Sequence, residues 1–301
     1  MYNLDITPEV QTALDGNKPV VALESTIITH GMPWPQNYDM ANQVEDMVRA
    51  HGATPATIAV IDGRIKIGLD QNALKTLAQI QGARKLSRAD LAICLVDGAT
   101  GATTVAATMI LAHLAGVHVF ATGGIGGVHR GAEHSFDISA DLQELTQTPV
   151  TVVAAGAKAI LDIPKTLEVL ETLGVPVIAY GQDALPAFWS RTSGLNAPLR
   201  MDAPAQIAQA QKMRTSLGLM GGQLVANPIP QDAEIPQEQI EPIIRQALDE
   251  ATAQSVSAKA VTPFLLQRIF ELTDGQSLDS NIALVLNNAR LAAEIACAMR
   301  K

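Results

Sequence analysis

A chain of 301 residues, 48% of them hydrophobic, is long enough to bury one large α/β core or two smaller ones. Aromatic residues make up only 3%, so the core is built from Ala, Val, Ile and Leu, which suits a parallel sheet wrapped in helices better than a β-sandwich. The formal net charge of −9 at pH 7 argues against a general nucleic-acid or membrane-surface binder, while leaving room for a local basic pocket.

Thr7, Glu9 and Val10 read as the start of a short helix. The opening MYNLDITPEV has neither a basic n-region nor an apolar h-region. No apolar run reaches the ~18 residues needed to span a bilayer, so a soluble, cytoplasmic protein is expected. Residues 19–23 form a buried strand that delivers Glu24-Ser25-Thr26 at its carboxyl end. A carboxyl group partly withdrawn from water there can serve as an acid near neutral pH; the alternative is a loop acid bonded to backbone amides. ITHGMPWPQN is a loop broken by Pro33 and Pro35. Residues 37–51 are helical, with Met40, Val44, Met47 and Val48 on one face. A strand at 56–62 pairs with 64–67 through a tight turn at Asp62-Gly63, and 71–80 is a helix.

The basic patch Arg84-Lys85-Leu86-Ser87-Arg88 either holds a phosphate or is a solvated surface. Residues 91–96 read as a strand ending in the loop DGATGATT. That loop resembles an anion-binding turn before a helix, but it lacks the Gly-Lys-Ser/Thr of a P-loop. A helix at 103–115 and a strand at 117–121 lead into FATGGIGGVHRGAEHSFDISADL, with two glycine pairs, His129, His134, Asp137 and Asp141. The GGIGG spacing is not the dinucleotide fingerprint; the glycines would let backbone approach a ligand closely. If Ser139 caps a helix starting at Ala140, Asp137 and Asp141 both lie near its N-terminus, as capping acids or as oxygen ligands of a divalent cation.

A strand at 150–154 ends in AAGAKA. Small apolar neighbours leave room beside Lys158 and favour its neutral, nucleophilic amine; the alternative is an exposed lysine at the mouth of a helix. A helix at 162–173, a strand at 175–180, an irregular stretch at 189–200, a helix at 204–217 and a strand at 222–226 follow. Helices at 236–254, 262–272 and 277–299 close the chain. In the last of these, Asn281 and Asn288 share a face and serve either a ligand or an interhelical network. Cys94 and Cys297 read as structural free thiols. The alternation of strands and helices predicts one domain over residues 1–301, a three-layer α/β/α sandwich with a largely parallel central sheet. Glu24, DGATGATT, the glycine loop and Lys158 all fall at expected strand carboxyl ends, where such sheets bind ligands.

The strings ALESTIITHGMPWPQN, GATTVAATMILAHLAG, VFATGGIGGVHRGAEHSFDISADL, AGAKAILDIPKTLE, GGQLVANPIP, KAVTPFLL and NIALVLNNAR occur in order from about residue 19 to 297. With them the chain resembles the pseudouridine-5′-phosphate glycosidase family, also described as indigoidine synthase A-like. The resemblance implies reversible conversion of pseudouridine 5′-phosphate and water to uracil and ribose 5-phosphate, through a lysine imine with ring-opened ribose. It implies Lys158 as nucleophile, Glu24 as proton donor and Asp137 as the ligand of one Mn²⁺ per subunit. Lys85, Val105, Thr122, His129, Ser139, Ala140, Asp141 and Asn281 would then bind substrate. The α/β/α domain would assemble as a homotrimer. A sugar-phosphate lyase of the class I aldolase type, or a non-catalytic binding protein, are the competing readings.

Overall fold

The structure is a computed structural model that describes residues 4–256 and 261–300; Lys259 and Ala260, which open the KAVTPFLL string, lie outside the described residues. The chain begins β1 (Leu4–Ile6), α1 (Pro8–Asp15), β2 (Val20–Leu23), α2 (Thr26–His30), α3 (Gln36–Ala50), β3 (Thr54–Ile61), β4 (Arg64–Ile67) and α4 (Gln71–Gln79). Next come β5 (Arg84–Leu86), α5 (Arg88–Val96), β6 (Gly101–Thr103), α6 (Val105–Leu114), β7 (Val119–Ala121), α7 (Ala132–Ser135) and α8 (Ala140–Gln147). Then follow β8 (Thr151–Ala154), α9 (Ile163–Thr172), β9 (Val177–Tyr180), β10 (Leu199–Met201), α10 (Pro204–Ser216) and β11 (Gln223–Ala226). Three helices end the chain: α11 (Gln237–Ala253), α12 (Val261–Leu272) and α13 (Gln276–Met299).

The sheet runs β1-β4-β3-β2-β7-β8-β11-β9-β10, with β6 on β3 and β5 on β6. Among the described residues its pairings are parallel except where β3 meets β4 and β6. The middle strands β2, β7, β8 and β11 are buried at every position, as expected of parallel strands covered on both faces. On one side α13, flanked by α3 and α10, packs on β2, β7 and β8; α6, with α5 and α8 beside it, also packs on β2 and β7. The predicted α/β/α architecture with a largely parallel sheet is the observed one. The tight turn between β3 and β4 is also as expected: Asp62 and Gly63 both take positive φ, 49° and 69°, which a two-residue hairpin of this hand requires.

Three expectations differ. The run at 91–96 is not a strand but most of α5. Asp90 accepts the Ser87 N–H at 2.8 Å, which starts a helix. Leu91 and Cys94, three apart, are buried, while Ile93 and Val96 are 60% and 86% exposed; a helix has one covered face, and apolar content alone hid that period. DGATGATT therefore follows a helix, and its second half is β6, whose backbone is committed to pairing with β3 and β5. Finally, the first three residues of the expected loop at 28–37 belong to a helix, α2 (Thr26–His30), with Ser25 O accepting from Ile28 and Thr29 N–H (3.1 and 3.2 Å) and Ile28 buried. The edge strands β1, β5 and β10, three residues each, are too short to show alternation in sequence. Among the described residues neither cysteine forms a disulfide. By length and composition α13 could cross a membrane, but half of that stretch is buried within the protein.

Candidate active site

Neighbouring strands end level with one another, and their continuations build the site. Leu23 is in register with Ala121, and Ala121 with Val153, so Glu24, Thr122 and the stretch leading to Lys158 leave the sheet side by side. Beyond the strands the pairing persists. Thr122 N–H donates to Val153 O (3.0 Å), Ala155 N–H to Gly123 O (2.9 Å), Ile125 N–H to Gly156 O (3.1 Å) and Lys158 N–H to Ile125 O (3.1 Å). Gly156 makes this run possible: its φ is +84° and a Cβ would lie 2.7 Å from Pro186 O, so a side chain is excluded twice over.

These segments line a cleft of about 400 Å³ that gathers Glu24, Lys85, Val105, His129, Asp137, Ser139, Ala140, Asp141, Lys158 and Asn281. Ten of the eleven sequence-predicted site residues thus meet in one place. Thr122 sits behind them. Its hydroxyl donates to Glu24 Oε1, and the Thr26 hydroxyl donates to Oε2. Glu24 is 7% exposed, so both carboxyl oxygens are held by hydroxyls rather than by backbone amides. Lys158 is flanked by buried Ala157 and Ala159, and among the described residues no carboxylate forms a salt bridge with it. That leaves its amine available for addition chemistry.

The loop after β7 is held from behind by Asn288, which is fully buried. Its Nδ2 donates to Thr122 O (2.8 Å) and its Oδ1 accepts from Asn227 Nδ2 (3.0 Å). Asn288 therefore serves a structural network rather than a ligand, but the network is not interhelical: both partners lie in loops, just after β7 and β11. Asn288→Ala leaves two buried polar groups without partners and is expected to cost about 2–4 kcal/mol. Urea unfolding checks this, and a variant within about 0.5 kcal/mol of the parent would show that the clamp carries no load. Asn281, one face-repeat earlier, lines the cleft and also accepts from Trp189 Nε1 at 2.8 Å.

The opposite wall is polar. The basic patch is divided: Arg84 pairs with Asp97 (2.6 Å) and Arg88 with Glu144 (2.7 and 2.8 Å), while Lys85 lines the cleft. The N-termini of two helices join it. Thr104 caps α6, accepting from Ala107 N–H at 3.5 Å, and Ser139 caps α8, accepting from Asp141 N–H at 3.2 Å. Val105 and Ala140 are the first residues of those helices, and their partial positive ends favour an anion between them.

Asp141, foreseen as a capping acid, a cation ligand or a substrate contact, lines the cleft with its carboxylate bonded to backbone amides. Its carboxylate accepts from Ala106 N–H (2.9 Å) and Gly126 N–H (2.8 Å), tying α8 to α6 and to the glycine loop. Nor is the room left by the second glycine pair free for ligand: a Cβ on Gly126 would fall 2.2 Å from Ser139 Oγ, and one on Gly127 2.4 Å from Thr166 Oγ1. The glycines let protein pack on protein. Among the described residues, Asp137 is the cleft carboxylate whose oxygens carry no hydrogen bond, and His129 Nδ1 lies 3.9 Å from its Oδ2. Burial pushes the His129 imidazole below its ordinary pKa; Asp137 opposes this, and Lys85 and Lys158 add to it. The balance favours the neutral imidazole. His134 is exposed on α7 and is not part of the cleft.

Sequence reasoning missed Phe188 and His30, which also line the cleft. Phe188 takes a left-handed backbone (φ 62°), its N–H donates to Ala155 O at 2.9 Å, and its ring meets Trp189 edge-on at 5.1 Å. The signal for it is an adjacent aromatic pair in a chain with five Phe and two Trp. Burial and then Lys85 push the His30 imidazole pKa down.

The family described as indigoidine synthase A like protein matches residues 9–298. A pseudouridine-5′-phosphate glycosidase of Paracoccus denitrificans is 73% identical over 296 residues, 98% of this chain and 97% of that protein. One from Jannaschia sp. is 70% identical, covering 98% of each. Among solved structures, the prealnumycin C-glycosynthase AlnA in complex with ribulose 5-phosphate superposes with a TM-score of 0.91 at 37% identity, over 99% of this chain and 97% of that one. An indigoidine synthase A-like protein from Thermotoga maritima gives the same TM-score at 32% identity, over 100% and 97%. The matched span takes in the strand ends, the glycine loop and the helix that clamps it: the chain belongs to the indigoidine synthase A-like protein family.

Proposed function

We propose that this chain reversibly hydrolyses the C–C glycosidic bond of pseudouridine 5′-phosphate to uracil and ribose 5-phosphate, through an imine between Lys158 and ring-opened ribose. The observation that carries the reading is an amine that, among the described residues, has no carboxylate partner, together with a buried carboxyl group, both opening into one cleft, in a chain 73% identical to a protein named for this activity. A C–C bond does not leave as a C–N bond does, because the departing carbon needs somewhere to put its electrons and then a proton. Glu24 protonates the ring oxygen as the sugar opens, and the Lys158 amine adds at C1′. Cleavage of the bond to uracil leaves the electron pair on the uracil carbon, which takes up a proton, and leaves an iminium at C1′. Water hydrolyses the iminium, releases ribose 5-phosphate and restores the amine.

Lys85 and the N-termini of α6 and α8 hold the phosphate. Thr122 and Thr26 orient the Glu24 carboxyl group, and His129 and Asn281 offer hydrogen bonds to the sugar and the base. Asp137, half-buried and among the described residues without a hydrogen bond on its carboxylate oxygens, fits a hydrated divalent cation that takes most of its ligands from water and substrate. Bound Mn²⁺ would offset phosphate charge. Asp137→Asn is expected to lower activity at least ~10-fold, as is a chelator, with Mn²⁺ restoring the chelated parent but not the variant. A homotrimer completes the reading. Exposed Ile93 and Val96 on α5, and Leu217 and Met220 after α10, are apolar side chains that subunit contacts would cover. Two free cysteines suit a reducing cytoplasm.

Borohydride trapping tests the proposal. The protein is incubated with ribose 5-phosphate and reduced, and the modified peptide is mapped. A stable adduct on Lys158 is expected; an unlabelled Lys158 in a preparation that still releases uracil would sink the imine.

A further inference from the structure

At the amino ends of β2, β7 and β8, away from the strand ends that bear the cleft, lies a second hollow of about 430 Å³. His113 at the end of α6, His118 just before β7, Lys212 on α10 and Arg300 just after α13 line it. Among the described residues no Asp or Glu lines it, in a chain whose net charge is −9. None of the four bases forms a salt bridge among the described residues, and Arg300 donates to a neutral partner, Asn17 Oδ1. Burial pushes the His118 imidazole pKa down, and Arg300 and His113 push it further. Bases therefore face bases, an arrangement that an anion relieves.

The floor adds a second, independent feature. Gln211 is 5% exposed, its Nε2 reaches Gly221 O at 3.5 Å, and its Oε1 has no donor. Buried amide oxygens are nearly always paired, and Gln211 lines the hollow, so a ligand hydroxyl would supply the donor that its amide oxygen lacks. Val119, Pro149 and Met299 supply an apolar wall for a carbon skeleton. Two permanent cations and two imidazoles match a dianion better than a single carboxylate, and a guanidinium suits phosphate oxygens in particular.

We propose that this hollow is a second ligand site, separate from the cleft, for a small hydroxylated organic phosphate held by Arg300 and Lys212 between His113 and His118. It stands apart from the chemistry assigned to the cleft, and its test reads the two places separately. The full chain, with ¹³C-labelled histidine rings, is titrated at constant ionic strength with inorganic phosphate, ribose 5-phosphate and ribonate, and His118→Gln assigns the signal. Ribose 5-phosphate is expected to move the His118 and His113 resonances saturably. The Lys212→Ala/Arg300→Ala double variant should weaken that response at least tenfold, with the His129 response and turnover unchanged. A His118 resonance that stays still while His129 responds would overturn the site. Inorganic phosphate binding as tightly as ribose 5-phosphate would overturn the organic ligand, and tighter binding of ribonate would overturn the phosphate.

Discussion

Lys158→Ala is expected to reduce kcat for uracil release by on the order of 10⁴-fold or more, the loss typical when a covalent nucleophile is removed. The protein should otherwise be unchanged. Lys158 has no salt bridge among the described residues, and its backbone bonds to Ile125 and Leu161 do not involve the side chain. Unfolding free energy should therefore stay within about 0.5 kcal/mol of the parent. The comparison that matters is rate against binding. If the phosphate is held by Lys85 and two helix ends on another wall, as proposed, affinity for ribose 5-phosphate should fall far less than kcat. A variant that turned over within tenfold of the parent rate would remove Lys158 from the reaction.

The second large effect concerns Glu24. Glu24→Gln keeps shape and volume but removes the exchangeable carboxyl proton, and kcat should drop about 10²- to 10⁴-fold, the usual range for a positioned acid. Thr26 and Thr122 both donate to Glu24. In the amide, one hydroxyl faces an NH₂ and must turn round to accept, which the fold tolerates. Borohydride should still trap some adduct on Lys158 when ribose 5-phosphate is supplied, because the free sugar opens without help. If both turnover and trapping persist at the parent level, Glu24 is not the acid; if both vanish, its role is to build the cleft.

How much of this was legible in the sequence depends on how local each signal is. Glu24 and Lys158 could be placed because a buried apolar run followed by a polar residue reads as a strand end, and strand ends in parallel sheets converge. The same habit misplaced residues 91–96, where four of six residues are large and apolar yet two of them, Ile93 and Val96, face outward. Arg84, Lys85 and Arg88 looked like one patch. Only their partners, Asp97 and Glu144, distant in sequence, separate the structural bases from the one in the cleft. Asp137 and Asp141 were indistinguishable by spacing; the difference is that two backbone amides happen to reach Asp141. Phe188 and Asn288 do stand out locally, as half of an aromatic pair and as one of two asparagines on a helix face, but their partners Ala155, Thr122 and Asn227 lie dozens of residues away, so what each one holds could not be read.

The strands that deliver the acid and the amine, β2 and β8, are separated by β7 alone. Strand spacing in a sheet is ~4.8 Å, so two rungs set the rails that carry these groups about 10 Å apart, close to the span of an open five-carbon chain with its leaving group. Hydrogen bonding makes that gauge nearly invariant, since no substitution in a side chain can stretch it. Diversification of substrate in such a scaffold is then a matter of furnishing. Phe188, Asn281 and, on α12, Pro263 and Leu266 line the cleft and are free to vary with the group that is joined to the sugar, while the spacing of the strands that carry Glu24 and Lys158 stays as the sheet dictates.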